Sequence, residues 1–271
     1  MSAALSPATP LRVGMAGARR FLGALVPAAL LVAWWLGTRS QDYSLIPSPG
    51  DVLAALADLA LGTESDAFSG TLLAHMGASA GRVYGAFLLA GLAALPLGLL
   101  IGRLPLAREL LDPLLQLLRP IPVTAWLPLS MILFGLGARS AFFLVALGAF
   151  FPILVNTTFA VRSVEPRLFE AAAMLGVSPA RMFPVVVLPA ALPGIFTGLR
   201  LGLGFAWVVI VVGEMTGVQI GLGAMIMDAR QLSRTEIVVA GMAVIGLMGF
   251  LSDYAVLSLG RRLLRWSPAH G

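Results

Sequence analysis

The groups with which this chain could do chemistry are few and restricted in type. All 18 basic side chains are arginine, there are 13 acids, only two histidines, His75 and His270, and no cysteine. Without lysine there is no Walker A loop to hold nucleotide phosphates and no Schiff base. Without cysteine there is no disulfide, no thiolate nucleophile and no thiolate metal site, and two histidines cannot build a histidine-rich metal centre. No His/Asp or paired-carboxylate cluster supports a membrane-embedded phosphatase or acyltransferase. The chain reads as one that transports or anchors, with no catalytic residue and no cofactor or metal of its own.

Polar groups within apolar stretches are the candidates for a translocation pathway. Arg200 lies inside an apolar run, where an unpaired charge costs at least about 2.5 kcal/mol. It either attracts an anionic solute or snorkels to an interface about two turns beyond Pro193. Glu214 ends the same run; it gates the outer mouth, pairs with an arginine such as Arg82, or is a plain interfacial carboxylate. Asn156, with Thr157 and Thr158, and Asp253 offer polar groups that line a path or tie helices together. His75 stands alone and reads as structural.

A denser set of signals occupies Glu170 to Pro189, EAAAMLGVSPARMFPVVVLP. Pro166 suits the first turn of a helix, with Glu165 at the positive end of its dipole. Arg167 to Leu175 is strongly helical and Gly176 supplies a stop. Ser178 and Pro179 start a second short helix, and Pro184, Pro189 and Pro193 are expected to keep it from merging into the next span. The product is a small, smooth helix edged by Glu170. It either sits in a partner's groove, its carboxylate meeting a donor, or touches only headgroups.

The elements that must position these residues follow from composition: 59% hydrophobic and 11% charged residues make an integral membrane protein. Six windows approach the length of a crossing: Phe21 to Gly37, Val83 to Ile101, Ile121 to Leu136, Phe142 to Val161, Gly194 to Val212, and Ile237 to Leu257. The first ends without a small-residue cleavage site and reads as a retained helix, not a signal peptide. With a cytoplasmic amino terminus, the inner segments collect most of the arginines, among them Arg12, Arg103, Arg162 and Arg265. The positive-inside bias then favours both termini in the cytoplasm. Between the first two windows, Ser48 or Asp51 caps a short amphipathic helix, either packed at the outer surface or docking an external partner. Prolines at 96, 122, 128 and 152 kink the spans. Small-xxx-small spacings at Gly81/Gly85, Gly98/Gly102, Gly198/Gly202 and Gly217/Gly221 imply close helix packing. No inverted repeat is evident, which disfavours a transporter built from two related halves.

Glu170-Ala171-Ala172, three residues, Gly176, nine residues, then Val186-Val187-Leu188-Pro189 resembles the EAA motif of binding-protein-dependent ABC importer permeases, EAA-x3-G-x9-I-x-L-P, with Val186 in place of isoleucine. Arg119-Pro120-Ile121-Pro122, Ala125-Trp126-Leu127-Pro128, Phe151-Pro152-Ile153-Leu154-Val155-Asn156-Thr157 and Gly198-Leu199-Arg200-Leu201-Gly202 are similar to the branch serving nitrate, taurine and aliphatic sulfonates. The resemblance runs from about Leu72 to Trp266.

It implies an all-α polytopic membrane protein of about six transmembrane helices, a type I importer transmembrane domain in a bacterial cytoplasmic (inner) membrane. The core would be residues 72–257, preceded by tail, first span and external segment (1–71) and followed by a cytoplasmic tail (258–271). The coupling loop would be 162–193, with Glu170, Ala171, Ala172, Gly176 and Ser178 docking in an ATPase. The implied partners are two cytoplasmic ATP-binding subunits using ATP and Mg, a second permease copy or paralogue, and an external solute-binding protein; no nucleic acid is involved. The solute would be a small anion or zwitterion. An ion-gradient-driven secondary transporter is the alternative, but it needs an acid deep in a span, and such groups are scarce.

Overall fold

In the computed structural model, residues 15–39 and 46–264 are described, with side chains from residue 25 onward. Arg12, Asp42, Arg265, Trp266 and His270 lie outside them. Every regular element among the described residues is helical: α1 (Met15–Thr38), α2 (Pro49–Leu61), α3 (Leu72–Arg103), α4 (Pro105–Leu118), α5 (Leu127–Phe134), α6 (Ala138–Arg162), α7 (Pro166–Met174), α8 (Pro179–Met182), α9 (Leu188–Glu214), α10 (Leu222–Gln231) and α11 (Thr235–Leu263). A 3₁₀ turn over Val123–Trp126 precedes α5, and a π turn over Phe183–Val187 joins α8 to α9.

Four helices are long and apolar enough to cross a bilayer: α3, α6, the continuous Pro179–Glu214 segment and α11. The window Ile121 to Leu136 is not one helix. Pro122 has an extended backbone, and α4 and the Val123–Phe134 segment meet at 87°, so they cross only as a broken pair. Pro120 and Pro122 each remove an amide donor and disfavour helix at the preceding residue, which opens the chain here.

The prolines expected to isolate α8 from the following span do not do so. The helix widens into a π turn in which the Leu188 amide donates to the Phe183 carbonyl, five residues back. The wider turn accommodates Pro184 and Pro189 without ending the helix. The span that follows therefore starts at Pro179, and 36 residues run to Glu214 without a break.

The centre of the fold is α6 packed between α3 and α9. Small residues permit the approach. A Cβ on Gly98 or Gly102 of α3 would lie 2.7–2.8 Å from Thr157 or Val161, and one on Gly198 or Gly202 of α9 would lie 2.7–2.8 Å from Asn156 or Ile153. Two of the four small-residue spacings thus mark helix contacts, whereas Gly217 and Gly221 belong to the loop after α9.

α2 begins with a capping box in which Ser48 and Asp51 exchange hydrogen bonds (2.9 and 3.2 Å). Val52 and Leu59 pack into the core alongside α11, so this helix covers the bundle. Asp58 faces inward at its end, where its carboxylate accepts from Ser69 (2.7 Å), the Glu64 amide (2.7 Å) and Thr63 (3.0 Å), folding the 62–71 loop around it.

Candidate functional site

One end of the bundle carries α7, the other carries Glu214, and a charged pair lies between. At the α7 end, Pro166 takes the first turn as expected. At its other end the Val177 amide donates to the Ala172 carbonyl (3.0 Å) and the Gly176 amide to the Ala173 carbonyl (3.0 Å). With Gly176 at φ +79°, this is a Schellman stop. A Cβ at Gly176 would meet nothing within 4 Å, so backbone conformation and not space demands glycine. Ser178 precedes α8 but makes no side-chain cap; its carbonyl instead accepts from the Arg181 and Met182 amides (2.9 and 3.1 Å).

α7 has two faces. Ala172, expected among the docking residues, is instead buried, and Phe169 packs with Val164, Phe183 and Val187, while Glu170, Ala171, Met174, Leu175 and Ser178 are exposed. Met174 and Leu175 stand out, 87% and 84% exposed. The Arg103 guanidinium lies 4.6 Å over the Phe183 ring, so the end of α3 also grips the π turn. α7 thus packs at the foot of a 36-residue helix.

Arg200 and Asp253 meet in that helix and in α11. Arg200 Nε donates to Asp253 Oδ1 (2.8 Å) and Nη2 to Oδ2 (2.7 Å), a two-pronged charge-assisted pair. The neighbouring Ser252 hydroxyl bonds Tyr84 (2.8 Å), accepts from the Trp207 indole (3.0 Å) and donates to the Met248 carbonyl (2.6 Å), fixing α11 against α3 and α9. Asn156 donates to the Pro152 carbonyl (2.8 Å) and borders a cavity of about 400 Å³ with Arg119, Leu201 and Phe205. Arg200 and Asn156 thus border adjoining cavities.

Glu214 is elsewhere and is not a plain carboxylate: its side chain is fully buried and ion-paired. Ser79 donates to both oxygens (2.8 Å), the Gly223 amide donates to Oε2 (2.9 Å), and Arg82 forms the ion pair. The Leu222 amide donates to Ser79 (2.8 Å), Arg82 to the Ile220 carbonyl (2.7 Å), and the Gly221 amide to His75 Nδ1 (3.0 Å). His75 is structural, as expected. The knot ties the start of α3 to the end of α9 and fixes the amino end of α10, whose orphan amides favour an anion.

Arg200, Asp253, Glu214 and Arg82 all stand out in the sequence, but only the last two are paired there, as one option among three. The signal for the first pair was available: one arginine and one acid, each inside a different span, are expected to seek each other. Ser79, Ser252, Tyr84 and Trp207 carried no such signal, because nothing along the chain marks which face they share.

Residues 94–265 match the family model described as the binding-protein-dependent transport system inner membrane component. The chain is 39% identical over 250 residues to the putative aliphatic sulfonates transport permease protein SsuC of Bacillus subtilis (strain 168), covering 92% of this chain and 88% of that one. It is 38% identical to the taurine transport system permease protein TauC of Escherichia coli (strain K12), covering 88% and 87%. Its fold is similar to a chain of the inward-facing MetNI methionine ABC transporter, with a TM-score of 0.56 at 20% identity, covering 74% of this chain and 98% of that chain. Helices of crossing length, a motif-bearing helix between two of them, and these likenesses agree: the chain belongs to the binding-protein-dependent ABC importer permeases.

Proposed function

We propose that this chain is the membrane-spanning subunit of an ATP-driven importer in a bacterial cytoplasmic membrane, carrying a small anionic or zwitterionic solute such as taurine, an aliphatic sulfonate or nitrate. Two cytoplasmic ATP-binding subunits hydrolyse ATP with Mg, a second permease completes the channel, and an external binding protein delivers the solute. The α7 end faces the cytoplasm, as the arginine distribution favours.

The observation that carries this reading is the two-faced α7. Its exposed edge offers Glu170 and Ala171, with Gly176 and Ser178 in the turn that follows, while Ala172 is buried and Phe169 packs at the foot of the Pro179–Glu214 helix. A helix gripped on one face and bare on the other suits a partner's groove. Closure of the ATPase pair then moves α7, and the unbroken helix carries the displacement along the bundle; stiff elements with two arrangements are what such coupling needs.

The test is uptake and ATP hydrolysis by the reconstituted complex carrying Glu170→Lys. Retained membrane insertion with lost ATP-driven uptake is the expected outcome. Uptake at the wild-type rate would remove the coupling assignment.

A further inference from the structure

We propose that Arg200 and Asp253 form an acceptor site for a zwitterionic solute, whose acid group takes the guanidinium and whose ammonium takes the carboxylate. The inference rests on the importer reading above and narrows its solute class.

Depth is the first consideration. Arg200 stands 14 residues before Glu214 in one continuous helix, about 21 Å along its axis. That puts it well inside the apolar length of the span. Yet the pair is not enclosed by its own chain: the Arg200 and Asp253 side chains are 38% and 39% exposed. Ionised groups do not face hydrocarbon at this depth, so the open side of the pair meets water or protein.

What lies on that side is a cavity of about 470 Å³, lined by both charges together with Thr197, Leu201, Gly204 and Phe205. Leu201 and Phe205 also border the cavity that holds Asn156 and Arg119. Polar groups from four different segments therefore line one continuous, otherwise apolar, face. The volume suits a small solute.

The hydrogen-bond geometry defines the chemistry. Arg200 presents Nε and Nη2 in parallel to two oxygens, an arrangement that any oxyanion with two oxygens on one edge can accept, a sulfonate as readily as a carboxylate. Asp253 occupies that edge when no solute is present. Ser252, held by Trp207 and Tyr84, keeps the adjacent backbone in register, so the site is built before the solute arrives.

Charge then selects between solutes. The empty pair sums to zero. A simple anion that takes Arg200 displaces Asp253 and leaves an uncompensated carboxylate in a poorly solvated place. A zwitterion replaces both halves of the ion pair at once and keeps the sum at zero. The pair thus rejects a lone anion by the same contacts with which it accepts a zwitterion.

Taurine and isethionate separate these cases, because they differ only in an ammonium against a hydroxyl. Binding of each to the purified permease–ATPase complex in nanodiscs, without binding protein, is measured by ligand-observed NMR titration. Taurine is expected to bind at least tenfold more tightly than isethionate, and more tightly than ethanesulfonate or ethylammonium alone. Asp253→Asn should weaken taurine at least tenfold while leaving isethionate equal or tighter, and Arg200→Gln should weaken both. The wild-type comparison stands even where a variant fails to fold. Equal binding of taurine and isethionate by the wild type, no binding of taurine, or an unchanged ratio in Asp253→Asn overturns the inference. If the same complex imports a sulfonate with ATP while showing equal binding, the importer reading survives and this inference falls. If it imports no solute with ATP, the importer reading falls and takes the inference with it.

Discussion

Replacing Arg82 with Met tests the account of the Glu214 knot. Arg82 is largely buried and Glu214 wholly so, with side-chain exposures of 17% and 0%. The substitution keeps the aliphatic bulk but leaves Glu214 with only Ser79 and the Gly223 amide as donors. Removing one partner of a buried ion pair costs about 3–5 kcal/mol, because the remaining charge stays desolvated. At about 2–4 °C per kcal/mol for a chain of roughly this size, the melting temperature in detergent falls by roughly 6–20 °C. The double substitution Arg82→Met with Glu214→Gln removes the stranded charge while the amide oxygen still accepts from Gly223. It should recover more than half of the loss, a non-additivity that only interacting groups produce. A single variant melting within 2 °C of wild type, or a double variant worse than the sum of the singles, would mean that Arg82 does not stabilise Glu214.

Gly176→Ala forces a Cβ into a left-handed conformation at a cost of about 1–2 kcal/mol, so hydrogen exchange across residues 172–180 should quicken, and Gly176→Asn should quicken it less. The Asp58 carboxyl is held below its ordinary value chiefly by the Ser69 hydroxyl, helped by the Glu64 amide and Thr63 against its own desolvation. A depressed folded-state value means the stabilisation is present above the unfolded value, about 3.9, and is lost as pH falls through the folded one. Proteolysis of the 62–71 loop should therefore be flat above about pH 4 and accelerate only below it, a dependence that Asp58→Asn removes. Gly202→Leu places a Cβ 2.7 Å from Ile153 and 3.0 Å from the Ala149 carbonyl, whereas a Cβ at Gly204 meets nothing within 4 Å. The first should lower the melting temperature by several degrees through overpacking of about 1–3 kcal/mol, and the second should leave it unchanged.

Local signals translated well where a residue acts on its own backbone. The Ser48–Asp51 cap, Pro166 in a first turn and Gly176 as a stop each need only neighbours within a few positions, and each is found. Proline was legible as a disturbance but not in its outcome. At 120 and 122 it breaks the chain by 87°, while at 184 and 189 a π turn absorbs it, because the following helix is held by packing of Val187, Ala191 and Ile195. Hydropathy windows missed the first turns of α3 because His75, Ser79 and Arg82 lower the local average; their polarity is spent on Glu214 and the Gly221–Leu222 backbone. The Arg200–Asp253 pair spans 53 positions, and only the fold brings it together.

Cross-linking can test whether α7 meets the ATPase by one face and the membrane bundle by the other. The chain contains no cysteine, so single cysteines can be introduced without background. Ala171 is exposed and Ala172, its neighbour, is 7% exposed. In membranes containing the assembled complex, Ala171→Cys should cross-link to a cysteine in the ATPase groove, in a manner altered by ATP, and Ala172→Cys should not. Equal cross-linking at both positions, or none at 171, would exclude this orientation of α7.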